Sequence, residues 1–250
     1  MKENGKNMKT YKYETHLHTS QASACASASG DDYIEKYIQA GYSGIIVTDH
    51  FFQGNSCVPN REQETWENRV NQYCSGYEKA LEKAKEINIA NKTVGTDDEF
   101  KVFFGIEQNF RGDEYLIYGL DKNWLLAHPE IETMSHKELF KAVNCQNALM
   151  IQAHPFRMRD YIQALHIHLR DVHGLEIYNL GNRPEENILA EQLAKLHNLP
   201  VTAGSDIHHV QNVFTEDGRQ NVTGVEFETP LKDIFDFVER IKFGKGKIIR

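Results

Sequence analysis

The sequence of 250 residues lacks long hydrophobic runs, paired cysteines and an excess of basic charge. No stretch approaches the roughly 18–20 apolar residues of a membrane-spanning helix. Residues 1–12 are polar and lysine-rich, without the apolar segment of a secretory signal. We therefore expect a cytoplasmic protein with no membrane partner. Its four cysteines form no C-x-x-C motif, so reduced thiols are expected at Cys25, Cys57, Cys74 and Cys145.

The charge balance is acidic, with 36 acidic against 28 basic residues and a net charge of −8. This argues against a surface that wraps nucleic acid, although a small phosphorylated substrate remains compatible with it. The chain contains no internal repeat, low-complexity segment or Pro/Gly/Ser-rich linker. We therefore predict one domain over residues 1–250, with residues 1–10 as a flexible N-terminal tail.

Short apolar segments alternate with helical patterns about seven times along the chain. The predicted strands cover residues 11–15, 44–48, 102–106, 149–153, 175–178, 201–204 and 224–227, and an additional strand is compatible with 114–119. The predicted helices cover residues 31–40, 63–87, 135–145, 184–196 and 231–241. Such alternation is typical of parallel strands with crossover helices, arranged as a closed barrel or as an open doubly wound sheet.

Polar residues that can bind metals follow six of these strands, and the sequence is rich in histidine, with 12 residues of this type. In a parallel barrel these positions meet at the C-terminal rim, where active sites are assembled. The residues concerned are His16 and His18, Asp49 and His50, Glu107, His154, Glu176, and Asp206 with His208 and His209.

This pattern predicts a metal centre. His16 and His18 stand two residues apart on a strand, so both point to the same face and can bind one ion. Glu107 and Asp206 can complete its shell, and a carboxylate can also bridge two ions. Nitrogen and oxygen ligands without sulfur favour Zn²⁺, Mn²⁺ or Fe²⁺. The number of ligands exceeds the need of one ion, so two or three divalent cations are expected.

Each motif alone has an ordinary structural explanation. Asp49 is compatible with a helix cap, Glu107 with an arginine pair, and Asp206 with a turn after a strand. The joint placement of the residues is what favours the metal centre. Histidines elsewhere fit the pattern less well: 166 and 168 precede a strand, and 128, 136, 173 and 197 are expected in solvated helices or loops.

The ordered set of motifs resembles the PHP family, the polymerase and histidinol phosphatase domain. The matching segments span residues 15–209 and are THLHT (15–19), IIVTDH (45–50), FFGIE (103–107), AHPFR (153–157), LEIYN (175–179) and AGSDIHH (203–209). The resemblance implies a distorted seven-stranded (β/α) barrel with a metal cluster at its C-terminal rim. It also implies hydrolysis of phosphoric esters.

The resemblance further implies a distribution of the ligands over three ions. One ion would be held by His16, His18, Glu107 and Asp206; a second by Glu107 and His154; and a third by His50 and His208. The sequence departs from the family at two places. Residues 20–29 (SQASACASAS) lack a histidine found in trinuclear members, and Glu114 stands where a histidine is usual, a harder ligand that favours Mn²⁺ or Fe.

We therefore expect a phosphatase that acts on a small phosphorylated metabolite, with a histidinol-phosphate phosphatase as one form. Arg157 is a candidate for binding a phosphoryl oxygen. Asp49 and His209 are candidates for protonating the leaving group, and Asp49 is equally a candidate for orienting a ligand. The alternatives are a PHP-type exonuclease, a metal-binding regulatory module of weak activity, and an amide-cleaving barrel hydrolase.

Overall fold

The structure, a computed structural model, describes residues 9–160, 162 and 164–250. Within this part of the chain, helices alternate with strands for most of its length. The strands are β1 (Tyr11–Leu17), β2 (Gly44–Val47), β3 (Lys101–Phe110), β4 (Asp113–Tyr118), β5 (Leu149–Gln152), β6 (Gly174–Asn179), β7 (Val201–Gly204), β8 (Gly224–Phe227) and β9 (Lys247–Ile249). The helices are α1 (Asp32–Gln39), α2 (Trp66–Asn91), α3 (Lys122–Ala127), α4 (His136–Cys145), α5 (Pro184–His197) and α6 (Ile234–Lys242).

The strands form one sheet that curls into a nearly closed barrel. Their order is β7-β6-β5-β4-β3-β2-β1-β8-β9. The chain after β7 returns to β1, where the His18 N–H donates to the Ile207 carbonyl at 2.9 Å and the Asp206 N–H donates to the His16 carbonyl at 2.9 Å. The expected barrel class is confirmed, and its seam lies beside the first histidine pair.

Of the predicted strands, two run antiparallel to their neighbours, and one of these departs from the expected parallel pattern. The segment predicted as an additional strand is β4, which lies in the barrel wall between β3 and β5 and runs antiparallel to both. The segment predicted as the seventh alternating strand is β8, which pairs antiparallel with β1 and lies beyond the barrel seam. A parallel connection requires a crossover of a dozen or more residues, usually a helix. Strand β8 is antiparallel to β1, so the prediction of a parallel strand there is wrong. The connection from β7 to β8, residues 205–223, contains a short 3₁₀ turn, Val210–Val213, in place of a crossover helix.

The barrel strands are buried on both faces, which explains their nearly continuous apolar sequence. All four residues of β2 and all four of β5 are buried. Strands covered on both sides need apolar side chains at successive positions rather than at alternate ones. The helices supply the outer cover, and α2 contributes Val70, Tyr73 and Ala80 to it.

Local signals in the sequence set the helix boundaries. The predicted capping box at the start of α4 is present: Ser135 and Glu138 each accept from the other's backbone N–H. Helix α2 begins at Trp66 rather than at residue 63, because the Thr65 side chain accepts from the Asn68 N–H and caps it there.

The N-terminal prediction is only partly within the described chain, since residues 1–8 lie outside it. Lys9 pairs with Asp98, and the Thr10 hydroxyl donates to Glu226 at 3.1 Å, so these two residues contact the barrel. No helix among the described residues has the length and apolar character needed to cross a membrane.

Candidate metal centre

The first histidine pair lies at the end of β1, beside the barrel seam. Both His16 and His18 are fully buried, and their ring centres are 5.1 Å apart. The Nε2 atom of each ring lacks an aligned hydrogen-bond partner among the described residues. A buried nitrogen without a partner costs free energy, so these two atoms indicate a ligand between them.

Glu107, near the middle of β3, lies at the centre of the site. Its Oε1 atom is 3.0 Å from His16 Nε2 and 3.3 Å from His154 Nε2. Its Oε2 atom is 3.4 Å from His18 Nε2 and 2.7 Å from His50 Nδ1. One carboxylate therefore faces four imidazoles, two on each oxygen. This is the arrangement expected of a carboxylate that bridges cations.

All eight predicted ligands converge on this point. The described residues contain four groups of three side chains whose ligand atoms lie within 4.8 Å of one another. The groups are His16, His18 and Glu107; His16, His154 and Asp206; His50, Glu107 and Glu114; and His18, His50 and His208. Because the groups share members, they form one continuous cluster.

The residues present fit divalent cations. Four buried atoms of the cluster have no aligned hydrogen-bond partner: His16 Nε2, His18 Nε2, His50 Nδ1 and Glu107 Oε2. The donor set consists of imidazole nitrogens and carboxylate oxygens, which suits Zn²⁺, Mn²⁺ and Fe²⁺.

Glu114 enters the cluster from β4. Its carboxylate is 3.4 Å from His154 Nε2 and 3.7 Å from His50 Nδ1. Burial, with a contribution from the negative charge of Glu107, raises the pKa of Glu114. Glu114 thus faces two of the predicted imidazole ligands.

Opposite charges balance one another in the cluster. Burial alone would lower the pKa of His16, but the carboxylates of Asp206, Glu176 and Glu107 outweigh burial and hold it well above its usual value. Burial also opposes the charge of His50, yet Glu107 raises its pKa to about 11. Protons on these imidazoles therefore compensate the carboxylates when no cation is bound, and cation binding must displace them.

His18 differs from the neighbouring imidazoles. Burial, together with the positive charge of His50, lowers the pKa of His18 to about 3. The ring is therefore neutral at any ordinary pH and presents a free nitrogen lone pair without losing a proton.

Glu176 holds two of the predicted ligand residues, His16 and His154, in place. The sequence predicted its position at the rim but assigned it no role. Its Oε1 atom is 3.0 Å from His16 Nδ1, and its Oε2 atom accepts from the His154 backbone N–H at 3.0 Å. Asn179 donates to the same Oε2 at 2.9 Å. A carboxylate at Nδ1 of a ligating histidine holds that ring with Nε2 toward the metal.

Asp49 stands behind the second histidine of the pair. Its carboxylate accepts from the Thr19 backbone N–H at 2.6 Å, the Thr19 hydroxyl at 2.7 Å and the Ser23 hydroxyl at 2.7 Å. Ser23 Oγ is in turn 3.2 Å from His18 Nδ1. Burial raises the pKa of Asp49 to about 6 despite these hydrogen bonds. Its contacts favour the orienting role over proton transfer to a substrate, which stays a prediction.

Arg157 is half-buried beside the cluster and already forms several hydrogen bonds. Its Nη2 donates to Asp206 Oδ2 at 2.6 Å and to Asn179 at 2.8 Å, and its Nε donates to Asn182 at 2.9 Å. Only Nη1 has no acceptor among the described residues. His209, the other catalytic candidate, has Nδ1 2.7 Å from the Ser27 hydroxyl.

The backbone at the rim is unusual at two predicted ligands. His154 has φ of 28° and Asp206 has φ of 54°, values that L-residues seldom adopt. Such conformations cost on the order of 1–3 kcal/mol each and concentrate at functional sites. In addition, a Cβ on Gly204 would lie 2.2 Å from the His16 Cβ, so only glycine allows β7 to approach β1 this closely.

Two open cavities meet over the cluster. One of about 440 Å³ is lined by residues that include Leu180, His209 and Asn212, and one of about 490 Å³ includes His50 and Arg157. Residues shared by both are Cys25, Asp206 and His208. The candidate site is thus accessible to a ligand of small-molecule size.

The remaining histidines lie away from the cluster. His166 Nδ1 is 2.9 Å from Asp113, and His168 Nε2 is 4.0 Å from the same carboxylate. Among those expected to be solvated, His197 is exposed, but His128, His136 and His173 are half-buried. Burial lowers the pKa of His136 and of His173 to about 4. The prediction of solvation is wrong for these three, because His128 stacks on Trp124, His136 packs on Tyr115 and His173 accepts a hydrogen bond from β5.

Comparison with solved structures supports the same fold. A two-domain protein from Bacteroides vulgatus, described as containing a PHP-like metal-dependent phosphoesterase, matches with a TM-score of 0.65 at 18% identity. The match covers 96% of this chain and 65% of that protein, so this chain spans slightly less than two thirds of its length.

Two further structures resemble the chain at lower similarity. A protein from Bifidobacterium adolescentis described as a metal-dependent phosphoesterase has a TM-score of 0.53 at 15% identity, covering 79% of this chain and 88% of its own. An amidohydrolase from Chromobacterium violaceum with bound sulfate has a TM-score of 0.52 at 12% identity, covering 96% and 98%. No known family profile and no curated protein matches the sequence. The expected resemblance to PHP proteins is confirmed at the level of the fold.

Proposed function

We propose that the protein is a metal-dependent phosphoesterase, acting as a phosphatase on a small phosphorylated metabolite. The observation that carries this proposal is the convergence of buried, unpartnered ligand atoms around Glu107 at the barrel rim. Solved proteins of the same fold that are described as metal-dependent phosphoesterases support the reaction class.

The cluster has enough ligands for two or three divalent cations of the Zn²⁺, Mn²⁺ or Fe²⁺ type. Such cations supply Lewis acidity, which lowers the pKa of water and neutralises charge on a phosphoryl group. Glu107 would bridge adjacent cations, because each of its oxygens faces two imidazoles. Glu176 and Asp49 would hold the rings of His16 and His18 in ligating orientation.

The chain itself supplies groups for substrate binding. Arg157 is fixed by Asp206, Asn179 and Asn182, which leaves Nη1 to donate to a phosphoryl oxygen. A guanidinium held in this way loses little conformational entropy when it binds. His209 lines the cavity of about 440 Å³ and is the better candidate for donating a proton to the leaving oxygen, since the Asp49 carboxylate already accepts three hydrogen bonds.

The cavities favour a small substrate over a polymer. Their volumes, about 440 and 490 Å³, lie in the usual range for metabolite sites. The net charge of −8 gives no general attraction for a nucleic-acid backbone. An exonuclease therefore remains the weaker alternative.

The test is phosphate release by protein stripped of metal and reloaded with Mn²⁺, Zn²⁺ or Fe²⁺ in turn. A broad panel of nucleotide, sugar and amino-alcohol phosphates would serve as substrates, with histidinol phosphate among them. We expect turnover with at least one cation, and we expect Glu107→Gln and His154→Ala each to abolish it. His197→Ala, the same change on an exposed histidine of α5, is the matched control and should keep wild-type turnover.

Protein that carries stoichiometric metal but hydrolyses nothing in the panel would contradict the proposal. Because one neighbour is described as an amidohydrolase, the same preparations should also be assayed on N-acyl amino acids. Amide cleavage without phosphate release would favour that second activity.

A further inference from the structure

Cys25 lies beside two of the predicted ligands, at the open side of the cluster. Its side chain lines the cavity of about 490 Å³ together with His50 and His208. It is half-buried and lines both cavities that open over the centre. The thiol is therefore positioned where a cation or a substrate would enter.

A second observation points to a cation site on this side of the cluster. The ligand atoms of His18, His50 and His208 lie within 4.8 Å of one another. The His18 and His50 rings stack with centres 4.3 Å apart, as do the His18 and His208 rings. His18 Nε2 and His50 Nδ1 are buried without an aligned partner. Three crowded imidazoles, two of them with an unpartnered buried nitrogen, are typical of a cation site rather than of an apolar core.

The backbone on both sides of Cys25 is fixed. The Ala24 N–H donates to the Asn55 carbonyl at 2.8 Å, and the Ser27 N–H donates to the His208 carbonyl at 2.9 Å. The second bond ties the cysteine segment directly to the segment that carries His208. The position of the thiol is therefore a property of the folded barrel.

We propose that Cys25 is a thiolate ligand of the outermost cation, completing a shell with His50 and His208. The inference rests on the proposed metal centre and adds a sulfur donor to a set otherwise built from nitrogen and oxygen. On binding, the thiol loses its proton to solvent and the sulfur lone pair bonds to the cation. One thiolate and two imidazoles favour tetrahedral Zn²⁺ or Co²⁺ at this position, whereas Glu114 and Glu107 favour a harder ion beside it.

The test uses Co²⁺ as a spectroscopic probe in the metal-stripped full-length protein. Thiolate coordination gives a sulfur-to-cobalt charge-transfer band in the near ultraviolet, separate from the visible bands of nitrogen and oxygen ligation. We expect the band in the wild-type protein and its loss in Cys25→Ser. In Cys25→Ser the affinity of this site for Co²⁺ should fall at least about tenfold, because the loss of a supporting partner of a metal ligand already costs roughly that much. Cys25→His should restore affinity without the band.

Cys57→Ser is the matched control, because Cys57 is exposed in the adjacent loop and should not affect the band. Visible cobalt bands without the charge-transfer band, or a band that persists in Cys25→Ser, would overturn the inference while leaving the metal centre in place. Failure to bind any Co²⁺ would overturn both. A cysteine-dependent band in a protein without hydrolytic activity would support the inference and contradict the proposed function.

Discussion

Replacing Glu176 by glutamine tests whether the metal centre depends on a side chain that does not itself bind the cation. Glu176 accepts from His16 Nδ1, from the His154 backbone N–H and from Asn179, all at 2.9–3.0 Å. A glutamine has one acceptor oxygen and one donor amide. Its best orientation keeps the oxygen toward His154 and Asn179 and turns the NH₂ group toward His16 Nδ1.

That orientation reverses the preferred tautomer of His16. Nδ1 must then accept a hydrogen bond, so the ring proton moves to Nε2, the atom that faces Glu107 at 3.0 Å and would bind the cation. We expect metal affinity to fall about 10- to 100-fold, the usual effect of losing an outer partner of a ligating histidine. This corresponds to about 1.4–2.8 kcal/mol of binding free energy.

The stability of the metal-free variant gives a second measurement. Losing a charge-assisted hydrogen bond costs about 1.5–3 kcal/mol in the free energy of unfolding. For a chain of 250 residues, each kcal/mol lowers the melting temperature by about 2–4 °C. Thermal unfolding without metal and calorimetric titration with Zn²⁺ or Mn²⁺ would measure the two effects separately.

Glu185→Gln is the control, because it makes the same change on an exposed position of α5. We expect wild-type affinity and a wild-type melting temperature from it. Wild-type metal affinity in Glu176→Gln would refute the argument that this carboxylate sets the His16 tautomer, whatever happened to the melting temperature.

Three shorter predictions concern packing, a buried ion pair and pH. Gly204→Ala places a Cβ 2.2 Å from the His16 Cβ. We expect about 1–3 kcal/mol of destabilisation, measured by denaturant unfolding, and weaker metal binding, measured by titration. Unchanged metal binding would show that β1 can shift to make room for the methyl group. Arg69→Lys removes the bidentate pair between buried Arg69 and half-buried Glu132 (2.7 and 2.9 Å). We expect the free energy of unfolding to fall by about 1–3 kcal/mol with metal binding unchanged, and wild-type stability would contradict this. Burial lowers the pKa of His173 from 6.5 to about 4. Its contribution to stability is therefore full above pH 6.5 and is lost as the pH falls toward 4. In His173→Asn we expect a smaller difference between the free energies of unfolding at pH 7 and at pH 5, and an unchanged difference would refute this.

The barrel strands were predictable because burial on both faces produces short, continuous apolar segments, and all seven expected segments are strands. What the sequence could not supply was strand direction. Whether residues 224–227 run parallel or antiparallel to β1 depends on how the preceding chain crosses the barrel, which is a long-range property. The three-residue strand β9 and the six-residue helix α3 are too short to show a clear period.

The predicted ligands could be found because chemistry requires particular residue types at strand ends, a local signal. Supporting residues were harder to identify. Glu176 lies within a strand and looks like any partly buried acid, and its role becomes visible only when His16, 160 positions away, is found 3.0 Å from it. Cys25 carried no signal at all, since its histidine neighbours come from two distant segments.

Glu114 shows how strand direction and ligand position are connected. In a strand parallel to its neighbours, rim residues occur at the end of the strand, as Asp206 does after β7. Strand β4 runs the other way, so its rim residue is at its beginning, directly after the turn in which Arg111 and Gly112 have positive φ. That tight turn lets Glu114 follow Glu107 by seven residues while both carboxylates face the same imidazole, that of His50. The antiparallel strand therefore places two carboxylates from one hairpin in one cluster. A parallel strand would need a crossover connection before it, so it could not bring two carboxylates together from so short a segment.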